Sequence, residues 1–150
     1  HELKRKKRNF EKEIKGFQLL ESNEDEIFVE FINQHRNSSG EKGEFMTKEF
    51  EVYFKNLLQL EHWKIYFLQS KNEIISTAFC YENEHGCYLY NSSRNNKFNN
   101  LNPGIVLNDL IIQKLIDSGK VFFDFLKGTE RYKYDLGGNS VQLYDLAIEL

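Results

Sequence analysis

The densest set of reactive side chains lies in one stretch, Asp124 to Gly137 (DFLKGTERYKYDLG). A hydrophobic strand ends there and the chain turns polar, and ligands of open α/β sheets gather outside such strand ends. Lys127, Arg131 and Lys133 suit phosphate, the lysines as point charges and the arginine as a planar fork. Asp124, Glu130, Tyr132 and Tyr134 stand beside them. The same residues also fit a solvated loop whose tyrosine rings rest on the core. A second candidate is Asn102-Pro103-Gly104, which reads as N-cap, N1 and N2 of a helix. A helix N-terminus following a strand presents free backbone N–H groups and a positive dipole end to a phosphate, although a well-capped helix alone explains the motif equally. No GxGxxG or P-loop accompanies it. The four histidines (His1, His35, His62, His85) form no Ser/His/Asp or Cys/His order, so a catalytic triad is not expected. Cys80 and Cys87 have no CxxC or zinc spacing and flank a turn a few residues out of opposition, so both read as free thiols in strands, and no metal is expected.

The elements that must position these groups follow from periodicity. Glu2 to Lys12 is charged and lacks β-branched residues, which predicts a lead-in helix. Ile14 to Leu20 predicts a first strand. Ser22 is the expected N-cap of a helix running to about His35, with Ile27, Phe28, Phe31 and Ile32 on one stripe. Asn37 to Gly43 reads as loop, and Thr47 opens a helix carrying Phe50, Tyr53, Phe54, Leu57 and Leu58. Trp63–Gln69, Ile74–Tyr81 and Cys87–Asn91 form an antiparallel meander with short turns. Ser92 to Asn100 breaks the pattern, and a helix runs from Pro103 to Gly119 as its C′ residue. Val121–Phe125 is a buried strand, Lys127–Gly138 a loop, and Val141–Glu149 a last alternating strand. This order predicts a mixed α/β sheet, mostly antiparallel, with one right-handed β–α–β unit and helices on both faces.

Composition bounds the rest. A chain of 150 residues with thirteen Phe, eight Tyr and one Trp has a core, and disorder is excluded. No apolar run reaches the roughly 20 residues that span a bilayer. No secretory signal is visible, and the thiols suit a reducing compartment, so a cytoplasmic location is expected. The chain opens on His1 rather than Met, which reads as a fragment or a processed chain. A net charge of −3 argues against bulk nucleic-acid binding, and the basic block Lys4 to Arg8, with Glu2, Glu11 and Glu13 interleaved, reads as a solvated helix face.

One likeness emerges from these residues. Pro103-Gly104, a helix ending at Gly119, then Phe123-Asp124-Phe125-Leu126-Lys127-Gly128 and Tyr132-Lys133-Tyr134, together with Phe31 to Arg36 (FINQHR), resemble the CelD-like family of bacterial GNAT acetyltransferases, which is annotated in cellulose biosynthesis. The resemblance covers roughly Ile14 to Gly137. It implies a GNAT-like fold over residues 14–150, with residues 1–13 as a lead-in helix and connector to a second, similar half. It implies acetyl-CoA or another acyl-CoA as co-substrate, with phosphates held around Leu101, Asn102, Gly104 and Ile105 and aided by Arg131 and Lys133. Strand Cys87–Asn91 would offer backbone N–H groups to the thioester carbonyl, an oxyanion-type role. The usual phosphate signature of that superfamily is replaced here by Asn99-Asn100-Leu101-Asn102-Pro103-Gly104, which keeps one glycine. The family is also similar to the Fem aminoacyltransferases, whose motif lysine Lys133 would match.

The implied reaction is direct attack of an amine on the thioester, with Asp124 as base or acceptor-orienting group and Tyr90 or Tyr132 as acid for the leaving thiolate. The acceptor is a small-molecule or saccharide amine. The rival readings are a non-catalytic binding domain of the same fold and a Fem-like transfer from aminoacyl-tRNA, the latter drawn mildly from the basic block.

Overall fold

A computed structural model describes residues 1–150. The elements are α1 (Glu2–Glu13), β1 (Gln18–Ser22), α2 (Asp25–Arg36), α3 (Glu41–Phe45), α4 (Lys48–Leu58), β2 (Trp63–Ser70), β3 (Glu73–Glu82), β4 (Gly86–Arg94), a 3₁₀ turn (Asn96–Leu101), α5 (Pro103–Asp117), β5 (Phe122–Asp124) and α6 (Arg131–Asp135). The sheet runs β1-β2-β3-β4-β5 in chain order. The first four strands pair antiparallel and β4 with β5 pairs parallel, so β4, α5 and β5 are the expected β–α–β unit.

Alternation along the strands sorts the core into two layers. Tyr66, Leu68, Ala78 and Cys80 point to one face, where α1 and α5 bring Phe10, Val106, Leu107 and Ile111. Ile65 and Phe79 point to the other, where α2 and α4 bring Phe28, Phe31, Ile32 and Phe54. Phe31, Phe54 and Phe79 meet pairwise at centroid distances of 5.1–5.6 Å. Truncating any of these three to alanine costs about 3–5 kcal/mol by transfer and cavity terms. Helices therefore cover both faces, as the sequence predicts. Cys80 and Cys87 are buried free thiols, opposite Leu89 and Glu82 respectively.

Several local expectations are corrected. The first strand starts at Gln18 rather than Ile14, because Gly16 sits at φ +65° and turns the chain out of α1. Glu24, not Ser22, is the N-cap of α2, and the Ser22 hydroxyl instead accepts from the Glu24 N–H at 3.0 Å. The Thr47 cap holds, its hydroxyl accepting from the Phe50 N–H at 3.2 Å. Part of the expected loop at 37–43 coils into α3, and the polar stretch from Ser92 splits into the end of β4 and the 3₁₀ turn. Strand 121–125 shrinks to three residues, half-buried rather than deep. The loop at 127–138 contains α6. The last expected strand, Val141–Glu149, does not form, and its residues are exposed and without regular secondary structure. Alternation tells which face a strand would bury, and here no neighbouring strand buries it.

Candidate active site

Strands β4 and β5 pair only from Gly86 to Tyr88, opposite Phe122 to Asp124. Beyond Tyr88, β4 runs on to Arg94 while the chain of β5 leaves the sheet, so the two diverge and one edge of β4 is free. The pairing of β4 with β3 slips in the same place. Phe79 faces Asn91 and Cys80 faces Leu89, leaving Tyr90 as the extra residue of a bulge. Bulges re-aim side chains and backbone at functional positions. Tyr90 is 39% exposed, and its hydroxyl lies 2.9 Å from that of Tyr53 on α4. That hydrogen bond, and then burial, push the Tyr90 phenol up to about 12, so it holds its proton across the physiological range.

Side chains of α2 brace this bulge. His35 Nε2–H donates to Asn91 Oδ1 at 3.0 Å. Asn91 Oδ1 also accepts from the Ser92 N–H at 2.7 Å, so this atom is an acceptor and the histidine must be the donor. Gln34 donates to the Ile74 carbonyl at 3.0 Å and accepts from the Ser93 hydroxyl at 3.2 Å. Nothing in the spacing of single histidines reveals this brace, although its two anchors, Gln34 and His35, are adjacent in the FINQHR run.

Past the bulge β4 leads through the 3₁₀ turn to α5. Asn102 is the N-cap and Pro103 the first helical residue, as the sequence predicts; Asn102 adopts a left-handed conformation (φ 53°, ψ 50°), and its side chain makes no cap hydrogen bond. Pro103 has no N–H, and the first backward helical bond is Val106 N–H to the Asn102 carbonyl at 3.4 Å. The N–H groups of Gly104 and Ile105 therefore point out of the first turn without intrahelical partners. A Cβ on Gly104 would meet nothing within 4 Å, so the approach to these donors is open. Leu101 is buried beneath the turn.

The Asp124–Gly137 stretch is built differently from its charge pattern. Lys133 is buried, and its ammonium donates to the Lys127 carbonyl at 3.0 Å, lies 3.4 Å from the Gly128 carbonyl and pairs with Glu130 at 2.8 Å. Those three partners saturate the ammonium and leave no donor for a phosphate. Arg131 projects into solvent, with Asp135 3.9 Å away. Asp124 is exposed and its Oδ1 accepts from the Leu126 N–H at 2.7 Å. Tyr132 is half-buried on the Phe125 ring at 6.1 Å, and burial followed by the Glu130 charge raises its phenol. The structure thus brings Tyr90 together with the β4–β5 gap, and Leu101, Asn102, Gly104 and Ile105 together at the α5 entry. Asp124 stands across the sheet from Tyr88, not from Tyr90. No group of three or more His, Cys, Asp or Glu residues converges as a metal site. The basic block is partly spent within the fold: Lys7 pairs with Asp109 at 2.6 Å and Arg5 with Glu2 at 2.6 Å.

Residues 1–134 match a protein family described as acetyltransferase (GNAT) domain. No curated protein matches the sequence. Among solved structures, the aminoglycoside acetyltransferase meta-AAC0020 from an uncultured soil metagenomic sample, in complex with sisomicin, superposes with a TM-score of 0.58 at 14% identity, over 89% of this chain and 97% of that one. AAC(6')-Iy in complex with the bisubstrate analog CoA-S-monomethyl-acetylneamine gives 0.62 at 9% identity, over 91% and 99%. The ribosomal-protein-alanine N-acetyltransferase of Brucella melitensis biovar Abortus 2308 gives 0.59 at 9% identity, over 90% and 99%. At these identities the likeness is one of fold.

Proposed function

Because this chain belongs to the GNAT acetyltransferase domain family, and is by that membership an acyltransferase, we propose that it moves an acetyl group from acetyl-CoA to a primary amine on a small molecule or saccharide. One observation carries this reading. The strand that parts from its neighbour and bulges at Tyr90 is the same strand that feeds the open N-terminus of α5. An elongated acyl thioester laid along that free edge has its carbonyl at the bulge and its pyrophosphate at Gly104 and Ile105. Free β4 N–H groups polarise the carbonyl as negative charge develops on it. The helix N-terminus neutralises the phosphate.

The amine must lose a proton as it attacks, and the thiolate must gain one as it leaves. Asp124 is the base or the group that orients the ammonium. Tyr90, whose proton stays on, is the acid, and Tyr132 is its alternative. The tie from Lys133 to the carbonyls of Lys127 and Gly128 supports a place in the CelD-like branch, because it joins the two halves of that motif, residues 124–128 and 132–133, into one unit. Lys133 then builds the site rather than binding phosphate.

Isothermal titration with CoA and acetyl-CoA tests the cofactor site. Micromolar binding is expected, lost by at least about a hundredfold in Gly104→Glu, whose carboxylate would occupy the open entry. Absence of binding at millimolar ligand would overturn the reading. Acetyl transfer in Asp124→Asn is expected to fall by about a hundredfold or more with CoA affinity unchanged, and an unchanged rate removes Asp124 from the mechanism.

A further inference from the structure

The far end of the α2/α4 sheet face is uncovered and aromatic. Trp63, Tyr81, Tyr88 and Phe122 follow one another across β2, β3, β4 and β5 at centroid distances of 5.4, 6.0 and 5.1 Å, each half-exposed. Trp63 also touches Tyr90 at 5.4 Å, so this floor is continuous with the bulge. Of the eight tyrosine hydroxyls, those of Tyr53, Tyr66, Tyr90 and Tyr134 have hydrogen-bond partners within the chain, whereas those of Tyr81 and Tyr88, like those of Tyr132 and Tyr144 away from this face, have none. Asp124 shares this face through its pairing with Tyr88, is exposed, and has no cationic partner. At the Trp63 end the floor meets a cavity of about 400 Å³ at the end of the sheet, walled by Ser22, Asn23 and His62 and, from the α1/α5 face, by the charged Glu21, Lys64 and Glu82.

We propose that this floor is the acceptor subsite of the transfer reaction argued above, on which it rests, and that the acceptor class is an amino sugar of more than one ring. The argument is one of matching surfaces. A sugar ring offers apolar C–H faces to aromatic rings and hydroxyls at its edge, which answers both the ring faces and the unpaired Tyr81 and Tyr88 hydroxyls. A purely aromatic or alkyl amine would use the faces and waste the hydroxyls. The ammonium group meets the Asp124 carboxylate and the electron-rich ring faces together. The polar cavity beyond Trp63 takes a second ring, which an apolar acceptor has no reason to place there.

Trp63 is the only tryptophan of the chain, so its fluorescence reports on the floor directly. The test titrates the protein, without acetyl-CoA, with glucosamine, its β-1,4-linked dimer, phenethylamine and a lysine-containing peptide, then measures acetyl transfer to each. The glucosamine dimer is expected to shift Trp63 emission and to be the best acceptor. A Tyr81→Phe/Tyr88→Phe double variant keeps the rings and loses the hydroxyls. In it KM for the dimer should rise about tenfold with kcat unchanged, while any transfer to phenethylamine is unaffected. Acetylation of phenethylamine or the peptide with no response to either sugar would overturn the sugar assignment and leave acetyl transfer standing. A Trp63 response to the dimer with no transfer to any amine would keep the subsite and remove the reaction. An emission shift that depends on protein concentration alone, together with a dimeric mass, would show the floor covered by a second copy and overturn the proposal.

Discussion

Lys133 takes a charge into the interior of the 125–138 segment, where its ammonium is held by two carbonyls and the Glu130 carboxylate. Glu130 is in turn held below the usual carboxylate range, first by the hydrogen bond from Lys133. Removing the ammonium strands the two carbonyls, a cost of about 1–3 kcal/mol. Lys133→Ala should therefore lower Tm by several degrees and open residues 125–138 to proteolysis, whereas Arg131→Ala, which removes an exposed side chain, should leave both unchanged. A calorimetric scan with limited proteolysis checks this, and equal melting of the two variants refutes it. The contrast shows the limit of reading a site from residue types. Lys127, Arg131 and Lys133 look interchangeable in the sequence, and only the turn of the backbone at Gly128 (φ 121°) and the coiling of α6 decide which one faces inward. Tyr90 was legible as a strand residue. Its bulge and its bond to Tyr53 depend on register between distant segments, which no local pattern encodes.

Elements were most legible where the hydrophobic period was long and the punctuation strong. The Phe28–Ile32 stripe, the Thr47 cap, the three-strand meander and the Pro103-to-Gly119 helix all stand within a few residues of their expected places. Elements defined by what packs on them were not legible, as the unformed strand at 141–149 shows. The parallel pairing of β5 belongs to this second kind, and it hinges on a glycine whose importance the sequence does not advertise. A Cβ on Gly86 would lie 2.6 Å from the Phe122 carbonyl and 2.7 Å from its ring. Gly86→Ala must push β5 away from β4 at one end of a three-residue pairing. The expected outcome is loss of about 1–3 kcal/mol of stability from overpacking, with faster hydrogen exchange at Phe122–Asp124 and a fall in acetyl transfer larger than the fall in CoA affinity. The last inequality follows because β5 carries Asp124 and pairs with β4 only at Gly86–Tyr88, the end of that strand away from the α5 entry. Equal losses in both would mean that β5 supports the cofactor site as well.

The molecule as a whole is two helical layers clamped on one twisted sheet, and the clamp on the α2 side includes a titratable group. His35 is 2% exposed, sits between the Phe31 and Phe45 rings at 6.0 and 5.7 Å, and leaves Nδ1 without a partner. Burial, and then the charge of Lys42, hold its pKa below the ordinary 6.5, opposed in part by the hydrogen bond to Asn91. The unfolded chain therefore binds this proton more readily than the native one. The stability that neutral His35 contributes is fully present above pH of about 6.5 and is lost as pH falls toward and through its native value. Glu21, Glu51 and Glu130 also have lowered values, from an ordinary 4.5, so their loss comes at more acid pH and leaves a separate window above it. Urea midpoints should therefore fall in the native sequence over the interval that opens below pH of about 6.5, before the carboxylates titrate. A His35→Gln variant can still donate to Asn91 but cannot titrate, so it should hold its midpoint flat across that interval at a lower absolute stability. Because α2 braces the β4 bulge through His35 and Gln34, the same interval should see acetyl transfer fall in the native sequence before global unfolding is detectable. Parallel pH profiles of the two proteins, in stability and in rate, would show no divergence if the brace carried no proton-sensitive load.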